Sequence, residues 1–587
     1  MGDAGADATA SGGSSGGGGS TAAPTVGAAT PFISYEAESG TPGGGASVVS
    51  LSSPPTTKFS SPQLEASGHA YVNLGASGQS VTWTNDTGKN ITAINVRYSI
   101  PDASGGGGIT STLDLLVDGA FRQALNVNSK QTWVYEGSAY DGMDNTPSSG
   151  DPHVFWDETH AFIEGAAIAP GSAITLQKDA SNLAAYYNVD VVDLEAPPAP
   201  LMQPANSLSV VSDCGARAND SGFDSTSAIQ NCINQAQSSK QVVWIPQGTF
   251  YLNTTKGLSM NGITVQGAGM WYSTVYYNPP LPASSTSNVL SPTSSTLKGF
   301  SIDGNAVSET TAGGNGGGIN IKGNDWLVDS LWIQHEGAGV WADGTNGTVQ
   351  NCRINNTWAD GINLNNGNGA PGNNTGNNLS AINNFIRGSG DDGLAINDTS
   401  SAVEMNTITL RSNTVVAPWW ANNIGIYGGV NVLVENNLVT DSVKEYGISI
   451  GVFSGNLTAG GYLQNATIQE NTVRRGGSFG YAIQYPGIGI GVTGTPSTIS
   501  DITLKGNVVD DAMFDGVDVG SASGMVIENN AVTSPGLAGF AVTSSAAGNA
   551  SFTGNTVSGI LAGQMPYTDQ APGFLASGSG NVGFTVP

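Results

Sequence analysis

Charged residues are scarce in this chain, and basic residues are the scarcer kind. Charged side chains make up 11% of the 587 residues, and 18 Lys and Arg face 45 Asp and Glu, for a formal net charge of −27. The negative electrostatic field of such a protein repels phosphate backbones and other polyanions. We therefore expect no nucleic-acid partner and no polyanionic substrate.

Long apolar segments and the basic and apolar regions of a signal peptide are also missing. No run of about 18 apolar residues occurs, so we expect no contact with a membrane. The opening Met1-Gly2-Asp3 leads directly into Ala, Ser and Gly. We expect a secreted, extracellular protein whose export signal is absent from this sequence.

Three cysteines are too few for a disulfide scaffold, and they lack the spacing of zinc ligands. Cys214 and Cys232 either pair, which leaves Cys352 as a free buried thiol, or remain reduced core residues. The sequence leaves both possibilities open.

Glycine, in contrast, is abundant, with 83 residues and many neighbouring Asn, Ser and Thr. This composition is typical of an all-β secreted protein, and the length predicts two or three domains. Residues 1–30, rich in Gly, Ser and Ala, are predicted to form a disordered linker. A Pro-rich run from 196 to 200 predicts a boundary, so we assign 31–198 to a first module, 199–205 to a linker and 206–587 to a second domain of a monomeric protein.

The first module shows short alternating strands, such as 81–83 and 113–117, between Gly and Ser clusters, which predicts a β-sandwich (jelly roll). Its opening 35–38 (Tyr-Glu-Ala-Glu) and closing 190–195 (Asp-Val-Val-Asp-Leu-Glu) resemble the carbohydrate-binding modules of families 35 and 6. That resemblance implies a structural Ca²⁺ held by Glu36, Glu38 and Asp190, and carboxylate oxygens are ligands that Ca²⁺ prefers. The alternative is that these are exposed charges at strand ends.

The second domain begins with a helical pattern at 228–233, with Asp224 or Ser225 as its N-cap, followed by two strand patterns. This order resembles the N-terminal cap of pectate-lyase-like right-handed β-helices. A capping helix is physically reasonable, because the first coil of a solenoid would otherwise expose its core.

Glycines followed by alternating apolar residues then recur to the end of the chain. They are Gly361, Gly393, Gly425, Gly447, Gly516 and Gly539. Spacings of 22 and 23, with 447 to 516 read as three times 23, fit coils of a parallel β-helix. Asn steps such as Asn383-Asn384 can adopt the left-handed conformation and bond the next coil's turn. The fold class is thus all-β, a right-handed parallel β-helix preceded by a β-sandwich.

Two of these repeats carry three aspartates. Asp360 lies in 358–363 (Trp-Ala-Asp-Gly-Ile-Asn), and Asp391 and Asp392 lie in 388–396, one coil later after an insertion at 366–378 that we expect to wall a binding site. Rungs about 4.8 Å apart would place the carboxylates on one face, where they perturb one another's pKa values as in a glycosidase. Gly390 and Gly393 are predicted to bracket a bend that turns both adjacent side chains to one side.

The spaced aspartates, together with the module ahead of the helix, resemble glycoside hydrolase family 87, the α-1,3-glucanases and mycodextranases. The resemblance implies endo-hydrolysis of α-1,3-glucan or of nigeran, the mixed α-1,3/α-1,4-glucan, by Asp360, Asp391 and Asp392 without a cofactor for catalysis. We assign Asp391 as the general acid and the other two as the groups that hold and deprotonate water. Carboxylates on different rungs can lie roughly 6.5–9.5 Å apart, which favours inversion of the anomeric centre.

Aromatic side chains bind neutral sugars, and several lie on or between the same coils. The candidates are Trp341, Trp358, Trp419, Trp420, Tyr427 and Tyr446. Trp419 and Trp420 cannot both point inward on a strand, so one of them is expected to face solvent or sugar. In the first module, Trp133, Tyr135 and Trp156 are candidates for stacking on sugar rings or for core packing.

Other functions share this scaffold. A polygalacturonase or a polysaccharide lyase needs cations beside the acids to bind uronates, and Arg387 next to the pair keeps that alternative open. A dextranase-type glycosidase is a further alternative. A non-catalytic glycan-binding adhesin would use the aspartates as solvated corners and would release no reducing ends.

Overall fold

The computed structural model describes residues 26–56, 60–136, 144–253, 257–278, 289–307, 317–367, 375–398, 405–452 and 461–587. Within these ranges the chain is almost entirely β, and the helices are Thr226–Ser239, Pro62–Glu65 and the 3-10 turns Ala37–Ser39 and Ser67–His69. None of these helices has the length and apolar character needed to span a bilayer. The predicted fold class is confirmed.

The first module consists of two antiparallel sheets that enclose one apolar core. In the order of the sheet, the first has Asp157–Phe162, Ala93–Ser99, Tyr187–Glu195, Ala70–Leu74 and Ser47–Ser50, with Phe32–Glu36 also paired to Tyr187–Glu195. The second has Thr41–Gly43, Ser80–Thr84, Ala173–Gln177, Thr110–Val117 and Ala120–Asn128. A separate two-stranded ribbon, Val134–Glu136 with Asp151–His153, projects from the sandwich.

The second domain stacks three long parallel sheets, as the repeats predict. The first sheet contains Ser207–Ser209, Val242–Ile245, Thr264–Gly267, Thr296–Lys298, Leu327–Asp329, Gly344–Gln350, Gly376–Ile382, Asn406–Arg411, Gly429–Glu435, Leu463–Gln469, Ile499–Lys505, Ala522–Glu528, Gly548–Thr553 and Leu575–Ser579. The second contains Gly248–Leu252, Ser273–Tyr277, Ser301–Asp303, Trp332–Gln334, Arg353–Asn355, Phe385–Arg387, Thr414–Val416, Leu438–Thr440, Thr472–Arg474, Val508–Asp510, Ala531–Thr533 and Thr556–Ser558. The third contains Leu258–Asn261, Leu290–Thr293, Ile319–Ile321, Val340–Ala342, Ile362–Asn365, Leu394–Asn397, Ile424–Tyr427, Ile448–Gly451, Ile488–Val492, Val517–Val519, Phe540–Val542 and Tyr567–Asp569.

The coil count differs from the sequence prediction in one place. Ile362 pairs with Leu394, so one coil separates Gly361 from Gly393 as expected, although 368–374 of the insertion lie outside the described residues. Ile448 pairs with Ile488, and Ile488 pairs with Val517. The interval from 447 to 516 is therefore two coils, not three, and a hairpin of Phe479–Gly480 and Ile483–Gln484 takes up part of the excess.

A buried asparagine ladder joins the coils. In the middle of the ladder, the backbone N–H and the side-chain amide of Asn437 both donate to Oδ1 of Asn471, at 3.0 and 2.9 Å. The same pattern links Asn384, Asn413, Asn437, Asn471, Asn507, Asn530, Asn555 and Asn581. The two predicted roles of Asn are divided between neighbours, because Asn383 and Asn436 take the left-handed conformation and the following residue makes the ladder.

The capping helix covers the first coil with Ile229, Cys232 and Ile233. Ser225 is its N-cap residue. Cys214 and Cys232 form a disulfide with Cα atoms 5.4 Å apart, and Cys352 is a free, buried thiol.

The first 30 residues are not all linker. The backbone N–H of Gly27 donates to the carbonyl of Asn436, that of Ala28 to Thr414 Oγ1 and that of Ala29 to Asn383 Oδ1. The prediction for residues 27–29 is wrong because the corners of the ladder offer acceptors to an extended segment. Residues 1–25 lie outside the described part of the chain.

The module and the β-helix meet through buried charges. Arg387 of the helix donates from Nε to Glu158 at 2.6 Å and from Nη2 to Asp193 at 2.7 Å. Arg353 pairs with Glu195, and the ring of His335 lies between Asp157 of the module, at 2.9 Å, and Asp303. The Pro-rich joint therefore does not leave two independent units, since these charges are desolvated only while the two domains stay together.

We expect Asn437→Ala to lower the free energy of unfolding by about 3 kcal/mol, because the N–H and amide groups of Asn413 then lose a buried acceptor. Asn436→Gly is the matched control, since its left-handed backbone suits Gly and its side-chain oxygen accepts no hydrogen bond among the described residues. Urea unfolding would measure both. Equal stability of the two variants would contradict a structural role for the ladder.

We expect Arg387→Met to cost roughly 3–5 kcal/mol, because Glu158 and Asp193 would remain buried without a counter-charge. Arg411→Met is the control, since Arg411 is half-exposed in its pair with Glu435 and such pairs contribute about 1 kcal/mol or less. Calorimetry of the native protein should show one joint transition of both domains. Two separate transitions, with no effect of Arg387→Met on either, would refute this coupling.

Candidate active site

Asp360, Asp391 and Asp392 meet at the start of adjacent strands of the third sheet. One carboxylate oxygen from each of the three lies within 4.8 Å of the others. Asp360 and Asp392 occupy equivalent positions in successive coils, since the N–H of Gly361 donates to the carbonyl of Asp392 at 2.9 Å and the N–H of Gly339 to that of Asp360 at 3.0 Å. The register between coils therefore brings Asp360 next to Asp391 and Asp392, although about 30 residues separate them in the sequence.

The segment 388–393 is a bend rather than a strand, as predicted, and it directs both adjacent aspartates to the cluster. Gly390 is needed in this bend, because a Cβ there would lie 2.2 Å from the carbonyl oxygen of Trp358 and 2.7 Å from the ring of Trp419. The close approach of the two coils thus excludes any side chain at this position.

Burial and mutual repulsion set the charge of the cluster. Burial first, and then the charges of Asp391 and Asp392, raise the pKa of Asp360 well above its usual value. Burial and the charge of Asp391 do the same to the pKa of Asp392. Burial also raises the pKa of Asp391, but a backbone hydrogen bond from Asp392 and the charge of Lys444 oppose the rise. The cluster can therefore hold protons at neutral pH while part of it stays ionised, which general acid–base chemistry requires.

Asn422 is a site residue that the sequence analysis missed. It occupies the position of Asp360 and Asp392 in the following coil, and both its backbone N–H and its side-chain amide donate to Asp392 Oδ1, at 3.0 and 2.8 Å. The amide also contacts the hydroxyl of Tyr427 at 2.7 Å, and Tyr427 hydrogen-bonds Asp392. The repeat itself carried the signal, since 422–425 aligns with 392–395.

Three of the predicted sugar-binding aromatics are buried instead. Trp358, Trp419 and Trp420 are 2%, 3% and 5% exposed, and they pack against Val134 and Val154 of the module. The expectation that Trp419 or Trp420 faces solvent is wrong, because both lie in a bend where strand alternation does not apply and the module covers them. None of the three has a free face for a sugar ring.

Trp341 and Tyr446 remain as half-buried aromatics on the same face. Trp341 pairs with Asn363 one coil before the cluster, and Tyr446 packs edge-on against Tyr485 with ring centroids 4.8 Å apart. Tyr481, at the tip of the inserted hairpin, is 61% exposed and was not identified from the sequence. Tyr427 serves the hydrogen-bond network of Asp392 described above.

Lys444 is a cation whose charge acts on Asp391, and it was not assigned a role from the sequence. Arg387, which kept a uronate substrate in consideration, is committed to Glu158 and Asp193 at the interface. The other basic residues after Asp392 are also paired with acids, namely Arg411, Arg474, Arg475 and Lys505. The arginines after Asp392 are thus committed to acids of the protein itself.

A second acidic group contains the predicted calcium ligands Glu36, Glu38 and Asp190. Burial raises the pKa of Glu38 to about 8 and that of Asp190 to about 6. One oxygen of each of these three side chains is buried without a hydrogen bond among the described residues. Arg97 pairs with the other oxygen of Asp190, and Asp441 of the β-helix repels the two glutamates. Orphaned carboxylate oxygens of this kind fit a Ca²⁺ ion, and they lie where the domains meet.

The chain is similar to known α-1,3-glucanases along most of its length. The family description "Alpha-1,3-glucanase catalytic domain D1" matches residues 29–196, and "Alpha-1,3-glucanase catalytic domain D2" matches residues 222–485. No curated protein sequence matches the chain significantly.

Solved structures agree with the family match. The Agl-KA catalytic domain is 25% identical with a TM-score of 0.83, covering 96% of this chain and 100% of the other. The catalytic unit of a thermostable GH87 α-1,3-glucanase from Streptomyces thermodiastaticus strain HF3-3 is 27% identical with a TM-score of 0.74, covering 95% and 98%. The catalytic domain of a GH87 α-1,3-glucanase in complex with nigerose, 23% identical with a TM-score of 0.77 and covering 94% and 99%, shares the fold.

Two matched descriptions that together span about three quarters of the chain name the same catalytic domains, and the first of them includes the module that packs against the acid cluster. The chain belongs to the α-1,3-glucanases of glycoside hydrolase family 87.

Proposed function

We propose that this protein hydrolyses α-1,3-glucosidic bonds in a neutral glucan, with Asp360, Asp391 and Asp392 as its catalytic residues and with inversion of the anomeric centre. The observation that carries the proposal is the meeting of three buried carboxylates within 4.8 Å on the face of the third sheet. The paired state of the surrounding arginines supports a substrate without charge.

The different surroundings of the three aspartates suggest their roles. Asp360 and Asp392 lie one above the other in successive coils, so a water between them would contact both carboxylates. Two donors from Asn422 and the hydroxyl of Tyr427 fix the Asp392 carboxylate and oppose the rise of its pKa that burial causes, which suits a general base. Asp391 is the least buried of the three, so it is the side chain placed to give a proton to the leaving oxygen.

The spacing of the carboxylates does not by itself decide the stereochemistry. An acid and a base roughly 6.5–9.5 Å apart were expected, but one oxygen from each carboxyl lies within 4.8 Å of the others. This expectation is wrong because Asp391 and Asp392 are adjacent in one bend and Asp360 lies only one rung away. We infer inversion instead from the number of carboxylates, since Asp360 and Asp392 could together hold and deprotonate a water, an arrangement that a single nucleophilic carboxylate would not need.

The first module contributes to the catalytic domain rather than providing an exposed sugar-binding face. Trp156 and Tyr135 are buried, and Trp133 packs edge-on against Phe155 while its indole donates to the carbonyl of Ile100. The resemblance to carbohydrate-binding modules therefore remains a proposal about a shared fold, and we do not extend it to sugar binding by these aromatic residues. Action on an extracellular polysaccharide and secretion belong to the same proposal, since the family acts on such polymers.

We also propose that Ca²⁺ binds Glu36, Glu38 and Asp190, with Asp441 of the β-helix facing the ion. The ion would relieve the repulsion that raises the pKa values of these carboxylates, and it would join the two domains. It supplies structural stability only, since this group is distinct from Asp360, Asp391 and Asp392.

Each of Asp360→Asn, Asp391→Asn and Asp392→Asn should lower kcat on α-1,3-glucan by about 10²–10⁴, the usual effect of removing a positioned acid or base. Asp343→Asn, one coil earlier at the far end of its strand, is the control and should stay within a fewfold of wild type. Release of reducing ends measures the rate, and proton NMR of the first product should show the β-anomer. An initial α-anomer would mean retention, and products that absorb ultraviolet light would indicate a lyase.

Chelation should lower the melting temperature at pH 7–8 and have little effect near pH 4. The folded pKa of Glu38, about 8, lies above its unfolded value, so without the ion the carboxyl stabilises the fold fully below about pH 4.5 and loses this effect as the pH rises to 8. Added Ca²⁺ should restore the loss in wild type but not in Asp190→Asn. Asp118→Asn, at an exposed turn of the same module, is the control. If added Ca²⁺ does not change the melting temperature at pH 8, the proposed calcium site is refuted.

A further inference from the structure

Lys444 is a fully buried lysine whose ammonium lies on aromatic rings next to the acid cluster. Its Nζ is 3.0 Å from the centroid of the Trp420 ring and 3.9 Å from that of Tyr481. An ammonium is attracted to the face of an aromatic ring, so the two rings define where this charge lies. Trp420 comes from the neighbouring coil and Tyr481 from the inserted hairpin.

The module fixes this cage from the other side. Trp420 packs edge-on against His153, with ring centroids 5.8 Å apart, and His153 Nε2 lies 3.1 Å from Glu136. Trp420 also contacts Trp419, at 6.0 Å between ring centroids, and the Trp419 ring lies directly over Gly390, the residue before Asp391. A continuous set of contacts thus connects the ammonium of Lys444 to the bend that carries Asp391.

Among the residues that the structure describes, the charges that act most strongly on Lys444 are acidic. They are Asp391 of the cluster, the half-buried Glu445 beside it and Glu136 of the module. Because the rings exclude water from the ammonium, its attraction to these carboxylates is stronger than at an exposed surface. Asp391 is the catalytic carboxyl on which this charge acts.

We propose that Lys444 is a positioning residue for hydrolysis: the cage of Trp420 and Tyr481 holds its ammonium where it controls the proton carried by Asp391. The inference rests on the proposed function, because it assumes that Asp391 takes part in the reaction. It assigns a role to the inserted hairpin and to the ribbon of the module, since both are needed to hold one cation beside the acid cluster.

The sign of the effect follows from the charges. Burial raises the pKa of Asp391 and the ammonium of Lys444 opposes that rise, while burial lowers the pKa of Lys444 itself to about 7. Removing the charge raises the pKa of Asp391. If Asp391 is the general acid, hydrolysis fails as the pH rises past its pKa, so the alkaline limb of the pH profile should move upward without Lys444.

The test compares Lys444→Met, which removes the charge, with Lys444→Arg, which retains a cation at every accessible pH. The substrate is a soluble α-1,3-linked glucose tetrasaccharide, and kcat/KM is measured from pH 4 to 9. Lys444→Met should shift the alkaline limb upward by roughly one pH unit, and Lys444→Arg should keep it at or below the wild-type position. Arg411→Met, which removes a half-exposed cation paired with Glu435, is the matched control and should shift neither limb.

A second readout does not depend on activity. Tryptophan fluorescence of the wild type should show a titration near pH 7, as the ammonium over Trp420 loses its proton, and this step should be absent from both variants. Melting temperatures establish that the variants are folded. If no glucan is cleaved, the proposed function fails while the fluorescence titration still tests the cage.

A shift of the acidic limb in Lys444→Met would keep Lys444 in its role but overturn Asp391 as the acid, because the ionised form would then be the active one. Unchanged limbs in a folded Lys444→Met, or a fluorescence step near pH 7 that persists in it, would overturn the inference. A limb that moves equally in Lys444→Met and Lys444→Arg would show a packing effect rather than a charge effect, and would also overturn it.

Discussion

The register between coils of the third sheet is the constraint on which the site depends. Each strand hydrogen-bonds its neighbours in parallel, so a residue at one position of a coil lies about one rung from the same position in the next. Asp360, Asp392, Asn422 and Tyr446 follow one another in this way, through backbone bonds of 2.9–3.1 Å. A slip of one residue in any of these pairs would turn a carboxylate away from the cluster.

That register is itself specified by interactions remote from the site. The asparagine ladder runs along the turn between the first and second sheets, where the Oδ1 of an inner member such as Asn437 accepts two hydrogen bonds from Asn413 while its own N–H and amide donate to Asn471. Such a ladder fits only one alignment of the turns, whereas the apolar residues facing the core would tolerate small shifts. The asparagine ladder therefore fixes the register between coils, and the aliphatic core supplies most of the stabilisation of the fold.

The interface between module and β-helix places strongly charged groups out of contact with water. Burial alone would lower the pKa of His335, but the carboxylates of Asp303 and Asp157 outweigh it and hold the pKa well above the usual value. Arg387 and Arg353 are likewise matched to acids of Tyr187–Glu195 and Asp157–Phe162. Charges paired in this way specify one docking geometry, because any other would leave a buried charge without a partner. The module thus brings Val134, Val154 and His153 against the tryptophans that surround the acid cluster.

The sequence repeats of the second domain predicted the fold well, because a repeated pattern of glycine and alternating apolar residues depends on local backbone geometry. The glycine and alternating apolar residues at Gly361 and Gly393 identified adjacent coils, and their aspartates could be placed on one face from the spacing of rungs alone. Insertions were harder, since the hairpin around Tyr481 made two coils look like three. The burial of Trp358, Trp419 and Trp420 could not be predicted from the sequence, because the surface that covers them belongs to the first module, more than 200 positions away. Lys444 was seen in the sequence only as a basic residue, since its contact with Trp420 exists only after two coils stack.

These observations also explain how the fold can maintain a cluster that opposes its own stability. Three buried carboxylates repel one another, and desolvation adds to the cost, so the isolated bend at 388–393 would not keep Asp391 and Asp392 together. Neighbouring coils hold the bend on both sides, with Gly390 in contact with Trp358 and Trp419, and the domain interface prevents the tryptophans from moving away. A rigid scaffold can keep acidic groups at a spacing that a flexible loop would relax, and the raised pKa values that result are the property that acid–base chemistry uses. The stacking of the coils is therefore also what keeps the three carboxyls together and their pKa values raised.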